Sequence, residues 1–161
     1  MPKPRIDEID VRLLHEVQED ARLSNVDLAA RIGLSPSPCL RRMKHLEQSG
    51  VIKGYMTLLD QNAVGLPVSV FISVTLKEQS ERALDEFESR IRALPEVMEC
   101  YLMTGTADYL LRVVMADLAA YERFLKEHLT RIPAIASIQS SFALKQVSFR
   151  TALPLPETAP I

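Results

Sequence analysis

The chain has 161 residues, 47 % of them hydrophobic and 25 % charged, with ten prolines and a net charge of -2. That length fits one ordinary domain or two very small ones with a buried core, and the near-neutral charge argues at first against a phosphate-rich partner. Cys39 and Cys100 are too few and too far apart for a disulfide framework, three scattered histidines point to no metal site, and no run reaches the roughly 18 apolar residues of a membrane span; with no signal-peptide pattern at the start, the chain is expected in the cytoplasm, away from membranes.

Helical spacing opens the sequence. Ile6, Ile9, Leu13 and Val17 recur on one face with Leu14 widening the stripe, while Asp7, Glu8 and Asp10 fall where the helix dipole favours carboxylates. A polar connection over 18–22 leads to a second helix that Ser24 can cap. Leu28, Ala29 and Ile32 give it a narrow apolar face, and Gly33 a left-handed stop. For the third helix, either Ser35 caps with Pro36 in the first helical position or Ser37 does with Pro38 there. Cys39 or Leu40, with Met43 and Leu46, form its inward stripe. Its opposite face shows Arg41, Lys44 or His45, and Gln48, with Arg42 at the flank, and Gly50 ends it.

Two short helices joined by a tight turn, the second exposing basic and polar groups, form the pattern of a helix-turn-helix reader of double-stranded DNA. The charge is distributed accordingly: residues 1–30 sum to -3 and residues 31–60 to +3. One end of the small domain is thereby fitted to a phosphate backbone. Amides near Ser35 and Ser37 can meet phosphate oxygens, and Arg31, Lys44 and Lys53 can neutralise phosphates. Arg41, Arg42 and His45 are candidates for base edges or nearby backbone. After Gly50, a short extended piece around Tyr55 serves as a small wing or as a bridge, with Tyr55 as a packing anchor. Cys39 reads as a core atom filling space.

A hinge over 61–67 separates this domain, 1–60, from a second over 68–150; an irregular tail, 151–161, follows. In the second domain Val68, Val70, Ile72, Val74 and Leu76 alternate on one strand face. A helix with Ala83, Leu84, Phe87, Ile91 and Leu94 inward ends before Pro95. Strands over 97–104 and 109–115 flank a Gly-Thr-Ala-Asp turn. A second helix buries Leu118, Tyr121, Leu125 and Leu129, and a last strand spans 138–149. The order β-α-β-β-α-β makes the chain an α+β protein, a three-helix bundle followed by a ferredoxin-like sandwich. Such a sandwich leaves one sheet face bare, and Phe71, Leu111 and Phe142 or Ala143 suggest that it is partly apolar. Burial against a second copy then gives a homodimer, which also suits paired helix-turn-helix units.

The run SNVDLAARIGLSPSPCLRRMKHLEQSGVIKGYMTLLD, residues 24–60, together with LMTGTADYLLRV, residues 102–113, resembles the leucine-responsive regulatory protein/asparagine operon regulator (Lrp/AsnC) family of transcription factors. The resemblance implies a winged or extended helix-turn-helix, a hinge, and a ferredoxin-like module that dimerises, often builds an octamer, and binds a small molecule, usually an amino acid, where dimers meet. By residue, it implies that Thr104, Gly105, Thr106 and Asp108 line the effector pocket with Tyr101 and Tyr109 nearby. A facing subunit would contribute the loop around Pro133, Ile135 and Ser137, and Ser140. An ammonium needs an acceptor such as Asp108, although an aspartate in a glycine-containing turn also serves to accept turn amides.

No catalytic constellation is visible. Glu78 and Glu81, or Asp85 and Glu86, sit on a helix whose inward stripe is apolar and solvate its outer face. No cofactor is expected beyond an amino-acid effector. The sequence therefore reads as a sequence-specific DNA-binding regulator whose oligomer responds to a metabolite. The competing reading is an amino-acid-sensing or protein-interaction module whose N-terminal bundle serves assembly only.

Overall fold

Three capped helices build the first part of the chain. In the computed structural model, which describes residues 6–156, these are α1 (Glu8–Glu19), α2 (Asn25–Ile32) and α3 (Pro36–Gln48). Asp7 caps α1 in a reciprocal box with Asp10, and the Ser24 hydroxyl accepts the Asp27 amide at the start of α2. Gly33 ends α2 in the left-handed region with φ 75°. Of the two starts open for α3, Ser35 holds the N-cap position, with Pro36 first in the helix, and its side chain makes no capping hydrogen bond.

The three helices enclose Leu13, Leu14, Leu28, Ala29, Ile32, Cys39, Met43 and Leu46. Cys39, and not Leu40, takes the inward position, because residues 39, 43 and 46 share one helical face. Two α1 residues outside the expected stripe are also buried: Val11, and Asp10, which is only 5 % exposed. No strand forms over 51–67, so the segment around Tyr55 is an irregular connection and builds no wing.

The remaining elements are β1 (Val68–Leu76), α4 (Glu81–Arg92), β2 (Val97–Leu102), β3 (Tyr109–Met115), α5 (Leu118–Glu127), a 3-10 turn (Leu129–Arg131) and β4 (Ile135–Phe142). The strands form one antiparallel sheet in the order β2-β3-β1-β4. Val70, Ile72, Val74 and Leu76 pack beneath the helices with Phe87, Ile91, Tyr109, Leu111, Val113, Tyr121 and Phe124.

Register corrects several sequence expectations. Leu111 pairs with Ile72, shares its helix-covered face and is fully buried, so it does not belong to the bare face. Phe142 pairs with Val70, also on the covered face, where its ring meets Tyr121 edge-on. Phe71 does lie on the open face, as expected, together with Leu110, Tyr101 and the Arg112–Glu99 ion pair. The last strand runs from 135 to 142 and not from 138 to 149. Ile135 reaches the end of β1 at Leu76, while beyond the Ala143 amide, bonded to the Ser69 carbonyl, β1 offers little further partner. On α5, Leu118 is 64 % exposed because it is the first helical residue. Phe124 takes the buried place, one turn from Tyr121.

Two compact units result. One runs to Thr57 and takes in the chain again from Ser148, and the other is Leu58–Val147, so the expected hinge 61–67 lies inside the second unit. The tail contributes to a core after all. The Gln18 carboxamide and the Leu153 backbone exchange two hydrogen bonds, and Leu155 packs against the helical core. Residues 157–161 of the expected tail and 1–5 of the expected first domain lie outside the described residues.

Candidate nucleic-acid interface and effector-binding end

The outer face of α3 concentrates four of the eight residues expected to bind DNA. Ser37, Arg41, Lys44 and His45, with Leu40 and Gln48, line an open groove of about 540 Å³. Positions 37, 41, 44 or 45 and 48 follow the helical repeat, so burying Cys39, Met43 and Leu46 turns them outward together. The start of this helix is tethered: the Asn25 side-chain nitrogen donates to the Pro36 carbonyl at 2.8 Å. Ser35 leaves its side chain out of the capping bonds. Leu40 is the one apolar member of the groove, 44 % exposed. Sequence reading missed it because the inward stripe was open between positions 39 and 40.

Arg31, Arg42 and Lys53 lie outside that groove. Arg31 pairs with Glu16 on α1 at 2.9 Å, an exposed contact that solvent screens. Lys53 is exposed beyond the end of α3. Arg42 points back into the bundle: its Nη1 donates to Asp7 Oδ2 at 2.7 Å and to Asp10 Oδ1 at 2.8 Å. The other oxygen of each carboxylate accepts a backbone amide, Asp10 N–H on Asp7 and Asp7 N–H on Asp10. Partial burial works to raise the Asp7 carboxyl, but the Asp10 amide and Arg42 outweigh it and hold the group below its ordinary value. A carboxyl shifted this way stabilises the fold above its unfolded pKa, and the contribution is lost as pH falls through the folded one.

The residues expected at the effector pocket converge on one end of the sheet. Leu102 and Val74 both pair with Tyr109, Thr75 pairs with Ser137, and Leu76 pairs with Ile135. The turn after β2 and the start of β4 therefore lie at the same end of the sheet, on opposite sides of the end of β1. Thr104, Gly105 and Thr106 are exposed at the turn, where Gly105 adopts φ 124°, a value that favours glycine. Pro133 and Ser137 are exposed, and Ile135 packs on the core. Ser140 lies further along β4, hydrogen-bonded to the Tyr121 hydroxyl.

Asp108 fastens this end together. Its carboxylate accepts the Leu76 amide at 2.7 Å and the Gln79 side chain at 3.3 Å, while its backbone bonds Val74 and Met103. Gln79 carries no motif signal that the sequence could have offered. Tyr109 is a core residue, 1 % exposed, its ring packed 4.5 Å from that of Phe87 at a tilt of 38° and its hydroxyl donated to Glu88. Its edge reaches a small cleft of about 130 Å³ with Glu88, Arg92, Cys100 and Leu102. Tyr101 is half exposed and donates to Glu99.

All four tyrosines hold their protons more tightly than a free phenol. Burial, and then Glu47, push Tyr55 up to about 12. Burial with Glu88 raises Tyr109, burial raises Tyr121, and the Glu99 bond raises Tyr101. A raised phenol favours the fold below its unfolded pKa and ceases to do so as pH rises through the folded one. An alkaline absorbance titration of the folded chain should therefore show less phenolate at about pH 10 than free tyrosine, which is half ionised there, with Tyr55 and Tyr109 the last to ionise. A tyrosine titrating normally in the folded chain would contradict these bonds.

Comparison with known proteins identifies the architecture. Residues 69–153 match the Lrp/AsnC ligand-binding domain family, and residues 6–53 match the winged helix-turn-helix DNA-binding family. The chain belongs to the Lrp/AsnC family. As a member it is a transcriptional regulator, with α1–α3 as its DNA-binding elements and the βαββαβ sandwich as its ligand-binding domain. A Bkd operon transcriptional regulator of Pseudomonas aeruginosa is 49 % identical over 150 residues, covering 93 % of this chain and 98 % of that protein. The leucine-responsive regulatory protein of Escherichia coli is 37 % identical over 146 residues, 91 % of this chain and 89 % of that one. Among solved structures, a Neisseria meningitidis transcriptional regulator in complex with L-methionine matches with a TM-score of 0.87 and 39 % identity over 92 % of this chain and 96 % of that one. Escherichia coli AsnC, 27 % identical, matches with a TM-score of 0.81 over 91 % of this chain and 97 % of that one. Within this Lrp/AsnC chain, among the described residues, no group of three or more histidine, cysteine or acidic side chains is arranged to hold a metal.

Proposed function

We propose that this Lrp/AsnC regulator binds double-stranded DNA through the α3 groove and changes its binding when an amino acid occupies the end of the sheet around residues 101–109 and 133–137. The observation that carries the reading is the gathering of Ser37, Arg41, Lys44 and His45 on the one face of α3 that the bundle leaves open. A helix presenting such a face can enter the major groove, with His45 reaching base edges and Arg41 and Lys44 neutralising the phosphates beside them. Lys53, and the α3 amides at Ser35, add backbone contacts outside the groove.

The effector is an amino acid with an apolar side chain. Support comes from two relatives: L-methionine is bound to the Neisseria protein, and leucine names the response of the Escherichia coli one. Asp108 is already committed to the Leu76 amide, so its first duty is to hold the turn. The longer bond to Gln79 is the one an incoming ammonium displaces. Thr104, Gly105 and Thr106 offer backbone and hydroxyl donors for a carboxylate.

A homodimer through the open sheet face, assembling further to an octamer, would multiply the single basic face of each chain. The half-exposed Phe71 and Tyr101 on that face support the pairing. Light scattering should give an even-numbered oligomer, and a stable monomer would contradict it. The effector reading is tested by calorimetry across the twenty amino acids, followed by DNA binding with and without those that bind. Leucine or methionine is expected to bind and to alter DNA affinity. Asp108→Ala should weaken that response and lower the stability of the sandwich by about 1–2 kcal/mol, because the part-buried Leu76 amide loses its acceptor. Binding by no amino acid would leave the turn purely structural.

A further inference from the structure

We propose that Arg42 is a positioning residue: clamped between Asp7 and Asp10, it sets the rotation of α3 against α1 and so aims the Arg41–Lys44–His45 face, without itself contacting DNA. The inference rests on the DNA-binding reading above and concerns a residue whose sequence context, side by side with Arg41, suggests the opposite role.

Three observations carry it. The two carboxylates are saturated: Arg42 Nη1 donates to both, and their remaining oxygens are taken by the two capping-box amides, so all four oxygens and both Nη1 protons are used. The Asp10 arm of the clamp is sheltered, since the Asp10 side chain is 7 % exposed and that of Arg42 29 %, whereas the Asp7 side chain is 53 % exposed. Freeing Arg42 to meet a phosphate would strand the Asp10 charge inside the bundle. Finally, successive residues on a helix are separated by about 100°. Fixing Arg42 against the start of α1 therefore turns Arg41, Lys44 and Gln48 toward the open groove. A wrong rotation of α3 would misplace every base contact at once while leaving the total positive charge of the face nearly unchanged.

That last property separates positioning from contact. The full chain is measured on a duplex selected by the wild type from a random library and on an unrelated duplex of equal length, over a series of salt concentrations. Arg41→Ala serves as the reference for a lost contact, and thermal unfolding confirms that each variant is folded. Arg42→Gln and Asp10→Asn are each expected to weaken binding to the selected duplex by about tenfold, with the double variant no worse than the weaker single one. The ratio of selected to unrelated binding should shrink, whereas mere loss of folded protein would lower both equally. The salt slope should stay at the wild-type value.

A slope reduced by about one in Arg42→Gln, as for Arg41→Ala, would overturn the proposal, because it reports a lost phosphate contact. Tighter binding by Asp10→Asn would overturn it too, by showing that the carboxylate competes with DNA for Arg42. If Arg42→Gln does not fold, Arg42→Lys and Asp7→Asn carry the test. A contact role predicts that lysine preserves affinity and slope, and positioning predicts a lost selected-to-unrelated ratio for both variants. A wild type with no salt-dependent binding would remove the DNA-binding reading itself, and the aiming role with it.

Discussion

Replacing Leu13 with alanine is expected to abolish DNA binding while leaving the ligand-binding sandwich folded. Leu13 is fully buried on α1 in the core that also holds Leu28, Ile32, Cys39, Met43 and Leu46. Removing a buried leucine side chain costs about 2–5 kcal/mol, the lost transfer energy plus the cavity left behind. A helical unit this small has little stability in reserve. The groove residues Arg41, Lys44 and His45 keep their relative places only while Cys39, Met43 and Leu46 stay packed, so loss of the core removes the face. The second core shares no residue with the first. Calorimetric unfolding should accordingly show the sandwich transition retained and the helical contribution shifted down or lost. A single transition at the wild-type midpoint, with wild-type DNA affinity, would contradict the packing described.

Phe87→Ala is expected to have the larger energetic effect, about 3–5 kcal/mol, and to act on the end of the sheet proposed to take the effector. Phe87 is fully buried and packs its ring, tilted, against Tyr109, the first residue of β3 after the turn that Asp108 fastens. Loosening that ring relaxes the Tyr109–Glu88 bond and the protection that keeps the phenol neutral. In the same variant the Tyr109 phenolate should therefore appear at lower pH than in the wild type, and the heat of amino-acid binding should fall. Phe87→Leu, which refills most of the volume, should recover most of the stability. An unchanged melting temperature and an unchanged tyrosine titration in Phe87→Ala would exclude the role given to this contact.

The expectations that held were those with a local physical cause. Ser24 and Gly33 bound α2 because a hydroxyl acceptor and a residue tolerant of positive φ are requirements of the helix ends themselves. Strands β1 and β3 were legible from alternation and from the turn between Leu102 and Tyr109. What failed depended on partners distant in sequence. Leu111 looked free for the bare face until register paired it with Ile72, and the limits of β4 are set by where β1 begins and ends. Arg42 and Arg41 are adjacent cations, and only the fold shows that one meets carboxylates of α1 while the other faces the groove. Leu155 offered no periodicity to read, yet the helical core takes it in.

The salt dependence of duplex binding tests the role of the α3 face most directly. Dissociation constants for the wild type and for Arg41→Ala combined with Lys44→Ala are measured on the wild-type-selected duplex at several salt concentrations. Wild-type affinity is expected to fall linearly with salt on logarithmic axes, and the double variant to bind more weakly with a slope shallower by about two, one for each lost cation. A double variant with wild-type affinity and slope, or a wild type whose binding ignores salt, would contradict it.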